Sequence, residues 1–357
     1  MIDFRYHLVS IAAIFLALAV GIVLGAGPLK GTLGDTLAGE VAQLRTDADT
    51  LRSDLADAEA AVTSRDDVLT TVRPRTTSGV LSGTSVSILA LPGSPDAAVE
   101  SARQALAEAG GTIAADVRVD PSWTSEDPPE VTDRTAAAAE LRELLAGDLP
   151  VGITPERVIA LSLGWALGTD PTAASADTDA ATPTEMATDA PDATDAPTEA
   201  DSESDDLAGS SPRREAAETS ARILEILASY GLLTIEGENV GALTDGVVIV
   251  TPSSTEDEAP PVTEWSDLAG AVDEAGAVVV AGDLRTDVDP AGHLVAAIRD
   301  SGELSDRVST LDHLATPMGD LALPFVLVEQ LAGSTGHYGT LGSAGEDFPP
   351  VPPDDAP

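Results

Sequence analysis

The 357-residue chain contains no cysteine. Disulfides, thiolate metal centres, iron–sulfur clusters and cysteine nucleophiles are thereby excluded. Thioethers are nearly as scarce: Met1, Met186 and Met318 stand far apart and form no cluster. Aromatic residues are only 3% of the chain, so any core has to be built from Ala, Val, Leu and Ile. Positive charge is also short, with 18 Lys and Arg against 61 Asp and Glu, a formal net charge of −43. Such a surface repels other polyanions. It argues against nucleic acid as a partner and holds the soluble part of the chain off anionic lipid head groups. No GxSxG elbow, HExxH helix or Gly-rich phosphate cradle occurs, and no enzyme activity is expected.

Against these absences stands one long apolar run. Residues 8–27, LVSIAAIFLALAVGIVLGAG, carry no charge. As a helix they reach about 30 Å, the thickness of a bilayer's hydrocarbon core. The competing reading is a cleavable signal peptide, whose apolar region is ordinarily shorter, about 7–15 residues, and ends at a small-x-small site. Pro28 follows the Gly25-x-Gly27 pair and makes cleavage there unfavourable. The run therefore predicts a transmembrane anchor behind a short tail, residues 1–7, with the lipid bilayer as partner. The basic residues flanking it, Arg5 before and Lys30 after, lean towards a cytoplasmic N-terminus and an extracytoplasmic body. Ala13, Ala17, Gly21 and Gly25 form a small-residue stripe of the kind that lets helices pack closely.

From Leu37 the apolar positions step by four and three through Val41, Leu44, Ala48, Leu51, Leu55, Ala58, Val62, Arg65, Leu69 and Val72. One heptad frame, with Arg65 the only charged member, predicts a coiled-coil stalk over residues 33–73 and self-association as a parallel dimer or higher oligomer. In that frame the flanking pairs Glu40–Arg45 and Asp47–Arg52 attract across the partner, whereas Asp54–Glu59 repel. Arg73-Pro74-Arg75 is expected to stop the helix, since proline cannot continue it. The competing reading is a single helix folded onto its own body.

Beyond residue 84 apolar runs of strand length alternate with helix-like stretches. SVSILAL (85–91), TIAADVRV (112–119), GVVIVT (246–251) and AVVVAG (277–282) read as strands. Residues 95–110, 134–146, 213–230, 261–275, 290–300 and 317–332 read as helices, and VIALSLGWAL (158–167) fits either. Near-continuous apolar strands followed by helices predict an α/β body over residues 84–338, a mostly parallel sheet covered on both faces. Residues 169–210, with twelve acidic and no basic residues, read as a disordered acidic insert. Residues 340–357, ending FPPVPPDDAP, read as an unstructured tail.

MIDFRYHLVSIAAIFLALAVGIVLGAG, the heptad helix and QLAGSTGHYG (330–339) together resemble the actinobacterial copper transport protein B family, MctB. The resemblance implies an envelope protein, assigned to the outer membrane, that helps limit intracellular copper. The sequence itself points to an inner-membrane anchor, and no repeated ten-residue alternating strands of a membrane barrel are present.

Copper, if bound, has few donors to choose from. Cu(I) prefers soft sulfur ligands, whereas imidazole and carboxylate suit Cu(II). His7, His293, His313 and His337 include no i, i+4 pair. Candidate copper ligands are His313 and His337, with Asp283 and Asp312 as the acids to watch; the competing reading is solvated or capping histidines and aspartates that serve as caps or turn residues. Gly336-His337-Tyr338-Gly339 is either a binding loop or a tight turn. The loops Pro92-Gly93-Ser94, Pro252-Ser253-Ser254 and Gly282-Asp283 outline a crevice at the carboxyl ends of the strands, where doubly wound sheets bind ligands.

Overall fold

The computed structural model describes residues 4–26, 28–168, 210–236, 243–252, 261–283, 293–341 and 343–350. It divides into two compact units, residues 1–67 and 68–357.

The first unit is helical. Helix α1, Phe4–Ala26, contains a stretch, Arg5–Leu24, long and apolar enough to cross a membrane, and none of it is buried. Helix α2, Pro28–Thr77, takes up the heptad segment and extends into the second unit. Its heptad leucines and valines lie open in the single chain: Leu44 and Leu51 are 66% and 69% exposed, and Leu37, Val41, Leu55 and Val62 are exposed as well. A seam of this kind is apolar surface without a partner in the monomer. The helix does not stop at Arg73-Pro74-Arg75 but continues to Thr77, with Pro74 inside it. The expected stop fails because Pro74 sits in the last turn. There the hydroxyls of Thr76 and Thr77 fold back on the helix and donate to the carbonyls of Val72 and Arg73, at 3.2 and 3.0 Å.

The second unit is the α/β body. Its elements run β1 (Ser85–Ala90), α3 (Asp96–Glu108), β2 (Thr112–Val119), α4 (Pro128–Leu144), α5 (Pro155–Leu167), α6 (Ser210–Ser229), β3 (Leu233–Glu236), β4 (Gly246–Val250), α7 (Val262–Asp273), β5 (Ala277–Ala281), α8 (Leu294–Asp300), β6 (Ser309–Leu311), α9 (Pro317–Leu331) and β7 (His337–Tyr338). Seven strands form one sheet in the order β3-β2-β1-β4-β5-β6-β7. All neighbours are parallel except β2 and β3.

Each central strand is apolar on both sides because both faces of the sheet are covered. Leu89, Val247, Ile249, Val278 and Val280 face a layer containing α4–α8. Ile88, Val248, Val250, Val279 and Ala281 face α3 and α9. Helix α5 settles the ambiguous VIALSLGWAL as helical. It packs among α4, α6 and α7 and is buried nearly all round, so its apolar pattern carries no helical period.

Three strands were not foreseen: β3, β6 and β7. Each is short and carries polar residues. His337-Tyr338 is therefore neither free loop nor tight turn but the edge strand of the sheet. The acidic insert falls almost wholly outside the described residues, with Ser210 already in α6. The described part of the expected tail, up to residue 350, packs on the body. Thr340 and Leu341 donate backbone N–H groups to Asp312, and the Phe348 ring lies 6.1 Å from that of Phe325.

The layer of α5 on α7 depends on Gly164. A Cβ there would lie 2.6 Å from the Ala271 carbonyl oxygen and 3.0 Å from Val272 Cα. Gly164→Ala is expected to cost about 2 kcal/mol through overpacking. Gly302→Ala, where nothing lies within 4 Å of the new carbon, should cost far less. Urea unfolding of the full chain followed by circular dichroism compares the two.

Candidate functional site

The strand order places the topological switch between β1 and β4, whose crossovers leave in opposite directions along the sheet. At that switch the described residues bond to one another. Leu91 N–H donates to the Val250 carbonyl at 3.0 Å, and Ser94 Oγ donates to the same oxygen at 2.8 Å. Ser253 and Ser254 lie outside the described residues.

The polar groups of the carboxyl edge collect instead around β4, β5 and β6. Asp312 and His313 follow β6, and Asp283 follows β5; Asp283 and His313 pair as an antiparallel bridge. Leu314 N–H donates to the Gly282 carbonyl at 2.9 Å and clips the two strand ends together. Three of the four candidate residues are thus neighbours, and their environments differ sharply.

Asp312 is fully buried and its acceptors are occupied. Oδ2 accepts from Arg299 Nη1 at 2.8 Å and from Leu341 N–H at 3.1 Å, while Oδ1 accepts from Thr340 N–H at 2.8 Å. Burial pushes this carboxyl up, but the adjacent His313 ring, the Arg299 guanidinium and the Thr340 N–H outweigh it and hold it at about 2. Arg299 uses its other donors on Thr310 Oγ1 and the Tyr338 carbonyl, both at 2.8 Å. Gly339, at φ +140°, lies against the carboxylate so closely that a Cβ would overlap it. Asp312 is therefore a structural anchor of β6, β7 and α8.

His337 is likewise spent. Its Nε2 donates to the Ser305 carbonyl at 3.0 Å and its Nδ1 accepts from Thr310 Oγ1 at 2.9 Å. Burial and the nearby Arg299 charge push its pKa down. His313 is the opposite case. It is 7% exposed, and neither ring nitrogen makes a hydrogen bond; Nδ1 stands 3.5 Å from Asp312 Oδ1. A buried polar ring without partners is uncommon and costly. The same loop holds Ala315 at φ +62°, a left-handed conformation that side chains disfavour. Among the described residues, no three His, Asp or Glu side chains are grouped to hold a metal ion.

Sequence reasoning passed over His293 as one histidine of four. It caps α8, with Nδ1 accepting from Val295 N–H at 3.2 Å, and its Nε2 donates to the Pro252 carbonyl at 2.9 Å. Gly282 makes room for it: a Cβ there would meet Thr251 Oγ1 and sit 3.0 Å from His293 Cε1. The signal available was its place immediately before the apolar stretch LVAAI, where an N-cap acceptor is needed.

The chain matches the family model for the copper transport outer membrane protein MctB over residues 1–349. It belongs to the MctB family. Among curated relatives, the copper transporter MctB of Mycobacterium bovis is 24% identical over 351 residues, 95% of this chain and 96% of that protein. The copper transporter MctB of Mycobacterium tuberculosis is equally similar, over the same shares. That of Mycobacterium leprae is 34% identical over 113 residues, 32% of this chain and 36% of the other. The MctB match takes in α1, α2 and the whole described body, so anchor helix and sheet belong to one family architecture.

Burial pushes the His293 imidazole down to about 4, against the pull of the Pro252 carbonyl. A folded-state pKa below the ordinary 6.5 gives stability that is complete above 6.5 and is lost as pH falls towards 4. The loss should approach about 3 kcal/mol. His293→Asn keeps a capping acceptor but cannot titrate, so the stability difference between the two proteins should shift by that amount between pH 7 and pH 4. Urea titrations at both pH values check this.

Proposed function

We propose that this chain is a single-pass envelope protein of the copper-transport family that takes part in copper efflux or homeostasis, acting as an assembly of copies joined through α2. The observation that carries the reading is the match to the copper transport family over residues 1–349, supported by relatives named as copper transporters along 95% of the chain. The open apolar heptad seam of α2 supports assembly. The exposed apolar α1 supports lipid anchoring, with the N-terminus in the cytoplasm and the body outside it.

If copper touches the body directly, the imidazole of His313 is the nitrogen donor the structure leaves open, beside Asp283. Imidazole and carboxylate oxygen favour Cu(II) over Cu(I). A second reading, a membrane tether whose body binds a small ligand or another envelope protein, is favoured by the engagement of Asp312 and His337 in structural bonds.

Deleting the gene should raise cell-associated copper and copper sensitivity. Unchanged copper content in the deletion strain would remove copper transport and leave the tether. Direct contact is checked by Cu(II) titration of the detergent-solubilised full chain. His313→Gln is expected to weaken binding about tenfold or more, whereas His337→Gln, whose ring is already committed, should leave it unchanged.

A further inference from the structure

The heptad frame of α2 runs to Val72, but the chain treats its last heptad differently from the earlier ones. Leu37, Val41, Leu44, Leu51, Leu55 and Val62 are open along the helix. Within the second unit, Leu69 is half-buried, Arg73 is 8% exposed and Thr77 is fully buried. Residues 69, 73 and 77 are spaced by four and line one helix face. In the heptad frame Leu69 is an a position and Arg73 an e position, so the body occupies one flank of the surface a partner helix would need.

The occupation is specific. Arg73 Nε donates to Glu108 Oε2 at 2.9 Å and its Nη1 to Asp320 Oδ2 at 2.8 Å. Ser101 Oγ donates to the other Asp320 oxygen at 2.5 Å. The guanidinium is thus fixed between α3 and α9, in a buried pairing that is costly to break from either side. An e residue so held is unavailable to the g residue of a partner, which here is Val68 and carries no charge.

Sequence and structure agree on where pairing weakens. The attractive flanking pairs, Glu40–Arg45 and Asp47–Arg52, lie early in the helix. Asp54–Glu59 repels, and Arg65 places a charge at a d position. We propose that a second copy of this chain pairs with α2 in parallel along residues 37–62, and that the body, by claiming the a/e flank from Leu69 onward, ends the seam so that the two helices part beyond Arg65. The partner surface is then a little under four heptads, about 39 Å long, and the two bodies are not joined through α2. This rests on the self-association set out above and adds its extent.

The absence of native cysteine makes the test direct, since one introduced thiol is the only one in each chain. Leu51→Cys and Leu55→Cys, at d and a, are expected to form covalent dimers on diamide oxidation of the full-length protein in detergent. Leu69→Cys and Val72→Cys, also at a and d, should form at least tenfold less dimer. Val72 is 43% exposed, so Val72→Cys should still be alkylated readily by a maleimide, which shows that its thiol is reachable in the folded chain. Equal cross-linking at 55, 69 and 72 would overturn the ending of the seam while leaving self-association standing. No dimer at 51 and 55, with a monomer in sedimentation, would overturn both.

Discussion

At the far edge of the sheet a guanidinium and a carboxylate, each almost wholly removed from water, do the work that the strands themselves cannot. Strand β6 has three residues and β7 two, so few ladder bonds hold them. Arg299 reaches from α8 to Thr310 and Asp312 at β6 and to the Tyr338 carbonyl on β7. A buried ion pair stabilises only when its remaining donors and acceptors are met. Here the carboxylate also takes two backbone N–H groups from the turn after β7. The arrangement dictates its neighbours in turn. Gly339 has to lack a side chain because the carboxylate fills that space, and residues 340–341 are drawn onto the body rather than left in solution.

That dependence explains what the sequence disclosed and what it concealed. Central strands such as GVVIVT and AVVVAG were legible because burial on both faces demands an unbroken apolar run. Strand β2 was legible to the residue even though Asp116 and Arg118 interrupt its apolar run. Strands β6 and β7 were concealed because Arg299, 39 residues before Tyr338, helps hold them, and a contact over such a separation leaves no local pattern. Antiparallel β3 was concealed for a related reason: LTIE holds against β2 partly through Glu236, which pairs with Arg118 at 2.9 Å. Asp312 was noticed for its chemistry and turned out to spend it on structure, whereas His293, which needed only the logic of an N-cap, went unremarked.

The carboxyl edge of a doubly wound sheet is ordinarily where a ligand enters. Among the described residues of this edge, several polar groups are met by the chain itself. Ser94 and Leu91 donate to the Val250 carbonyl at the β1–β4 switch, His293 fills the space beside Gly282, and Asp312 accepts from Arg299 and two backbone N–H groups. His313 stands out against this background because neither ring nitrogen makes a hydrogen bond, Nδ1 having only the 3.5 Å approach to Asp312 Oδ1. An orphaned buried imidazole beside a left-handed alanine is the pattern of a position whose cost is met by something other than local packing.

Copper chemistry sharpens the point. A chain with no cysteine and three methionines far apart in sequence is poorly supplied with soft-sulfur donors for Cu(I). Nitrogen and oxygen are the donors it offers more freely, with many carboxylates and few imidazoles. With His337 and His293 fixed by hydrogen bonds on both ring nitrogens, the imidazole supply of the described body narrows to one ring per copy. One ring is a poor metal site alone, since Cu(II) at an N/O site takes several donors. In an assembly the number of rings rises with the number of chains, but only where copies approach one another. On the proposed seam, pairing along α2 would bring the helices together and not the bodies, so α2 alone would not gather His313 rings from separate copies into a shared site.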